Sequence, residues 1–274
     1  MEIPAVNLSG VTKSGSEVDF SGGTETVSQW HRYEVAGNSG QMVVTHTFMY
    51  NGKKLRNYTM LYDKSKKAAL WSAFAMNKGT YPHLVSRGDS WNYDPAIEKS
   101  WQPRLNSSYS GSTYERGHQI ASNDRRTTFY QMYQTDYFTN MTPQLGAFNS
   151  GDNTEWDELE TAIQNRGYSI SGSDTLYVVT GAIFEEGYKT DARDNDNKVC
   201  PVPTHYYKCI MKVSFSGGKA VSASGAAYLF EHKSDAAKQV KTIDELEALT
   251  GFDFFTNIPS SCQDAAERTV TNLL

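Results

Sequence analysis

Cysteine, long apolar runs and surplus positive charge are all scarce in this 274-residue chain. No stretch approaches the roughly 18 consecutive apolar residues that a membrane helix needs, so no membrane-spanning helix is expected. The opening MEIPAVNLSG has neither a basic n-region nor an apolar h-region, and does not read as a signal peptide. That leaves a cytosolic protein and a trimmed, exported one both open. The three cysteines, Cys200, Cys209 and Cys262, match no zinc-ligand spacing and allow at most one intrachain disulfide. No HExxH is present and the six histidines are scattered, which leaves a zinc hydrolase without a recognisable ligand set. A net charge of -5 argues against bulk electrostatic attraction as the main source of affinity for nucleic acid. It leaves room for a local basic cleft, where field lines are focused.

What is present suits an ordinary folded domain, with 38% hydrophobic and 12% aromatic residues to build a core. Residues 1–28 are rich in Gly, Ser and Thr without periodicity and read as a loosely held arm before a single domain at 29–274. Segments 41–49 (QMVVTHTFM) and 57–63 (NYTMLYD) read as strands around an Asn51-Gly52 turn, and 66–76 as another strand. Residues 79–114 carry Pro, Gly, Asn, Ser and scattered aromatics, among them Trp91 and Tyr93, and read as a long ordered loop. Residues 154–165 (TEWDELETAIQN) are the best helix signal. Trp156, Leu159, Ala162 and Ile163 form a stripe, Thr154 can cap, and acidic residues suit the first turn. Strands follow at 175–184, 204–215 and 219–229, then a short helix at 243–249 stopped by Gly251. The fold class is α+β around a largely antiparallel central sheet.

Arg116-Gly117-His118 sets a cation, an unhindered backbone position and a base side by side. Histidine accepts a proton near neutrality, and the planar fork of arginine fits phosphate oxygens. Such a pair suits attack of water on a phosphodiester, with a base for the water and a cation for the developing charge. A hard metal ion would complete the set, and Asn149, Asp152, Asn153 and Glu160 offer oxygen ligands within one segment. Taken alone, these residues have plainer readings. The triplet could be surface, Asn149 a turn residue, Glu160 a solvated helix carboxylate, and Trp91 and Trp156 core anchors.

Four linked motifs change that balance. Glu115-Arg116-Gly117-His118-Gln119 is followed by Thr139-Asn140-Met141-Thr142-Pro143-Gln144, then Phe148-Asn149, then Trp156-Asp157-Glu158-Leu159-Glu160. In this order they resemble the DNA/RNA non-specific endonuclease family, whose fold is the ββα-metal nuclease fold. The likeness extends over roughly residues 40–262, through VVTGAI at 178–183, VPTHYYKCIMK at 202–212 and the stretch 242–259.

The resemblance implies hydrolysis of DNA and RNA with weak sequence preference, leaving 5′-phosphates. It implies His118 as general base, Asn149 as the protein ligand of one Mg²⁺ (or Mn²⁺), and Glu160 behind the metal's waters. Arg116 would stabilise the transition state, Asn140 would fix the geometry around His118, and Arg87 would be a second catalytic arginine. It also implies a secreted or periplasmic protein with DNA and RNA as partners, no membrane, and a protein inhibitor as a further partner. Three departures stand out: Glu115 where the family has Asp, extra residues (SGDNTE) between Asn149 and Trp156, and a looser spacing from Arg87 to Trp91. With the insertion, Asn149 could lie before the helix and Asp152 compete as a ligand. The alternatives are a narrower nuclease of the same fold and a secreted binding module with a degenerate site, its aromatic loop used for stacking.

Overall fold

Asn51 and Gly52 both take positive φ, 48° and 71°, the backbone that a two-residue hairpin requires. They join the first long pair of strands in a computed structural model that describes residues 29–274 except 36, 112 and 151–153. The expected arm at 1–28, and Asp152 and Asn153, lie outside the described residues.

The strands are β1 (Gln29–Val35), β2 (Asn38–Tyr50), β3 (Lys53–Asp63), β4 (Ala68–Met76), β5 (Tyr114–His118) and β6 (Met141–Leu145). They continue as β7 (Asp174–Ile183), β8 (Asp191–Arg193), β9 (Val199–Pro201), β10 (His205–Ser216), β11 (Lys219–Glu231) and β12 (Gln239–Lys241). Helices are α1 (Phe129–Tyr133), α2 (Gly146–Asn149), α3 (Glu155–Ser169), α4 (Ile243–Thr250) and α5 (Ser260–Glu267). Eight strands form one sheet in the order β1-β2-β3-β4-β7-β10-β11-β12, each adjacent pair antiparallel. The expected α+β architecture with a largely antiparallel sheet is therefore what the chain adopts.

Both faces of this sheet are covered, so its central strands alternate between two cores rather than between core and water. Along β10, Tyr206 and Ile210 join a core with Trp156, Leu159 and Ile163 of α3. Tyr207, Cys209, Met211 and Val213 face the other way, against Ile243 and Leu246 of α4 and Ala266 of α5. The helix α3 begins as its sequence suggests: the Thr154 side chain accepts from Asp157 N at 3.2 Å, and Trp156 is buried. Thr242 and Glu245 close a capping box on α4.

Two elements at the ends of the sequence reading were not expected. Strand β1 forms a sheet edge along β2, and α5 buries only Ala266 and Glu267 of its eight residues, too few for a readable stripe. All three cysteines are free thiols. Among the described residues no helix is long and apolar enough to cross a membrane.

Candidate active site

The short hairpin of β5 and β6 stands apart from the large sheet, on the side of α3. Gly117 faces Thr142 and His118 faces Met141 across it. A Cβ added to Gly117 would come within 2.2 Å of the Gln144 side chain, so no larger residue fits between the strands. The excursion between them, 119–140, folds back beneath β5. Asn140 is fully buried there; its Nδ2 donates to Ile120 O (3.0 Å) and Thr135 O (2.8 Å), and its Oδ1 accepts from Ile120 N (3.1 Å). Its backbone carbonyl takes Gln119 N at 3.0 Å. Asn140 thus fastens the two residues that follow His118.

His118 ends β5 with its ring mostly covered. Its Nε2 lies 3.2 Å from Oδ1 of Asp136, a fully buried carboxylate, and 3.3 Å from Ser122 Oγ. A carboxylate only accepts, so Nε2 carries the proton and Nδ1 keeps a free lone pair. The other Asp136 oxygen accepts Ser90 N at 2.8 Å, which ties the long loop to the same carboxylate. A second buried pair, His46 Nε2 to Asp94 Oδ2 at 3.0 Å with Thr139 Oγ1 at 2.7 Å, pins that loop further along.

Arg116 and His118 leave β5 on one side, as residues two apart in a strand must, and meet at Trp91. The Arg116 guanidinium lies 3.8 Å from the Trp91 ring centre, and the His118 ring 5.2 Å away. Trp91 is half-buried: it packs against the buried cluster of Leu105, Tyr109, Phe138 and Met141, as expected of a core anchor, and also offers its ring to Arg116 and His118, while Trp156 is fully buried in the main core. Arg116 Nη1 donates to Leu105 O and Asn106 O. Burial lowers its pKa, with Asp89 and Asp136 pulling it back, yet among the described residues no carboxylate pairs with it directly. A half-buried guanidinium held by carbonyls and an aromatic ring, with no carboxylate paired to it among the described residues, is a ready anion site. Arg87 lies exposed on the same loop, 3.9 Å from Asp89.

Asn149 closes the one-turn helix α2, ahead of α3 and not within it. Its Nδ2 donates to Glu115 Oε2 at 2.8 Å, and Ser150 Oγ donates to the same oxygen at 2.7 Å. Holding the amide nitrogen turns Oδ1 the other way, free to accept. A neutral amide oxygen beside a carboxylate is a hard donor set that fits Mg²⁺ or Mn²⁺ with a water-rich shell. Glu115, which holds Asn149, lies three residues before His118 on the same strand. Glu160 sits deeper, 3.0 Å from Lys208 Nζ, which also lies 3.4 Å from Gln119 O. Asp124 joins this group, its carboxyl pushed up to about 7 by burial, with Glu160 adding and Lys208 opposing.

Sequence reasoning missed Asp136, Ser122 and Lys208. Asp136 lies 18 positions from His118 within QTDYFT, where nothing periodic marks it. An acidic residue in the excursion between two paired motifs was the one available signal.

The comparisons bear on the fold and the family. A solved structure of the EndoG/EndoGI complex matches with a TM-score of 0.58 at 20% identity, over 82% of this chain and 89% of that one. A nuclease from Nostoc sp. is 29% identical, covering 78% of this chain and 77% of its own. Nuclease 1, mitochondrial, of Schizosaccharomyces pombe is 30% identical, covering 85% of this chain and 71% of its own. Human endonuclease G, mitochondrial, is 26% identical over 60% of this chain and 56% of its own. The sequence profile that describes the DNA/RNA non-specific endonucleases matches residues 39–261, most of the chain, which is therefore a member of that family.

Proposed function

We propose that this endonuclease hydrolyses internal phosphodiester bonds of DNA and RNA, leaving a 5′-phosphate and a 3′-hydroxyl, with His118 as base and one Mg²⁺ or Mn²⁺ held through Asn149. One observation carries the reading: an imidazole with its Nε2 fixed on buried Asp136, beside an arginine that has no paired carboxylate among the described residues. His118 Nδ1 takes the proton of the attacking water, and Asp136 holds the ring and stabilises the imidazolium. Arg116 receives a non-bridging phosphate oxygen as charge builds on it. Asn149 would hold the cation through Oδ1, with Glu115 keeping the amide in that orientation. When bound, the cation supplies charge neutralisation at the phosphate and the leaving oxygen. Asn140 keeps the backbone after His118 in place, and Arg87 reaches the phosphate backbone from the loop. Glu160 acts from behind, through its pair with Lys208 under Gln119.

Groups that grip phosphate read no base edges, which favours weak sequence preference. Nothing in the proposed chemistry needs a 2′-hydroxyl, which favours cleavage of both nucleic acids. A degenerate binding module is disfavoured by the intact imidazole–carboxylate pair. The inhibitor complex of the structural relative supports a protein inhibitor as a partner class here. Export to the periplasm or beyond remains the compartment that the resemblance favours, although two of the relatives named are mitochondrial. The test is digestion of plasmid and RNA with Mg²⁺ against EDTA, using wild type and His118→Ala. Digestion that ignores EDTA, or a His118→Ala protein as fast as wild type, rejects the reading.

A further inference from the structure

Beyond Trp91 the cleft continues into an open groove of about 660 Å³, lined by Trp91, Asn92, Tyr93, Arg104 and Asn106. It adjoins the cleavage centre directly, because Asn106 O is one of the two carbonyls holding Arg116, and Trp91 is the ring on which Arg116 lies. We propose that this groove is a subsite for a nucleotide of the substrate strand flanking the cut, with its base stacked against Tyr93 and its phosphate on Arg104. The inference rests on the nuclease reading above and extends it.

The chemistry of the lining fits one nucleotide. Tyr93 is half-buried and set firmly, its ring edge-on to Phe138 at 5.2 Å and attended by Lys99 Nζ at 5.4 Å from the ring centre. A tyrosine held this way offers a stacking surface at little entropic cost, and stacking tolerates every base. Arg104 is exposed and kept in place by Asp196 at 2.9 Å, with Lys198 Nζ 3.9 Å from the same carboxylate. A phosphate entering the groove meets Arg104 beside the exposed Asp196, while Lys198 is held between Asp196 and the buried Asp194 at 3.4 Å, and an exposed pair such as Arg104–Asp196 yields readily to a competing anion. Asn92 and Asn106 add side chains that can serve either sugar or phosphate. Continuity decides between this and an unrelated small ligand, since the groove opens at the arginine that would hold the scissile phosphate.

The experiment measures binding of a fluorescent single-stranded 12-nucleotide DNA in EDTA, across a series of NaCl concentrations. Binding then stands apart from turnover, which plasmid digestion reports. Arg104→Gln should weaken binding and reduce the slope of log Kd against log salt by about one. Tyr93→Leu keeps an apolar contact for Phe138 but removes the ring, and should raise Kd roughly five-fold or more. Lys219→Ala, at the far end of the β10–β11 hairpin, removes the same charge elsewhere and should leave Kd and slope unchanged. An unaltered Kd in either groove variant, or an equal loss in Lys219→Ala, overturns the subsite.

Discussion

His118 Nε2 lies 3.2 Å from Oδ1 of Asp136, and this contact decides which ring nitrogen is left to act as a base. Asp136 is fully buried while the imidazole keeps 13% exposure, so the carboxylate holds the ring from behind and leaves its other edge to the cleft. Removing the base should lower kcat by about two or more orders of magnitude in His118→Ala. Asp136→Asn keeps an acceptor for Nε2 but not the charge that stabilises the imidazolium. It should lower kcat by roughly ten-fold or more with KM little changed. Steady-state rates on plasmid, with thermal melts to check folding, decide it; wild-type kcat in Asp136→Asn would remove Asp136 from the mechanism.

Glu115 holds Asn149 by the amide nitrogen. In Glu115→Ala that amide is free to turn, and its oxygen no longer has a fixed aim. Groups that orient a metal ligand are worth about 10–100-fold in affinity or activity. The Mg²⁺ concentration for half-maximal cleavage should rise accordingly, with near-normal rate at saturation. Asn149→Ala should lose metal-dependent cleavage at any Mg²⁺ concentration. An unchanged Mg²⁺ titration in either variant refutes the assignment of that residue.

The long strands, the helix capped by Thr154 and the antiparallel sheet were legible because each carries a local signal. A turn dipeptide at Asn51-Gly52, an apolar stripe at Trp156, Leu159 and Ile163, and a cap are all written in neighbouring residues. His118, Arg116 and Asn149 were legible only through ordered motifs and family resemblance. Asp136 and Lys208 were not, since their roles come from the 119–140 excursion folding under β5 and from β10 passing beneath Gln119. Trp91 packs on a buried cluster as expected, and its further contact with Arg116 was not legible because an aromatic in a loop looks the same with or without a guanidinium over its ring.

On the opposite face of the sheet, Asp244, Glu247 and Glu267 gather between α4 and α5. Burial, followed by neighbouring carboxylates, pushes Glu247 up to about 8 and Glu267 up to about 7. Both pKa values are raised above the ordinary 4.5. The unfolded chain therefore releases these protons first, and stability present at low pH is lost as pH rises through 7 to 8. A loss of ~1–2 kcal/mol would lower Tm by roughly 3–6 °C in a domain of this size. Calorimetry from about pH 6 to 9 should show that fall, and Glu247→Gln should flatten it. A melting temperature flat over that range in the wild type would show that the carboxylates ionise without cost.

His232 joins acid stability to the turn that carries Asn149. Its Nε2 accepts Leu145 N at 2.9 Å and its Nδ1 donates to Pro203 O at 2.9 Å, two bonds that only the neutral ring with its proton on Nδ1 can make together. Leu145 immediately precedes α2, and His232 also packs against Phe148, the neighbour of Asn149. Burial pushes the His232 pKa down to about 4, from an ordinary 6.5. A depressed histidine contributes stability that is whole above 6.5 and is lost as pH falls toward 4, by up to about 3 kcal/mol. Protonation would set an N–H against the Leu145 N–H and release the turn that carries Asn149. Wild type should therefore lose melting temperature steeply between these two pH values. His232→Leu should start lower by about 1–3 kcal/mol, because Leu145 N is left unpaired, and should show a shallower slope. It should also need more Mg²⁺ for cleavage at neutral pH, which a purely structural loss far from α2 would not cause. A variant with the wild-type acid slope and Mg²⁺ requirement would mean that His232 neither titrates in this window nor positions Asn149.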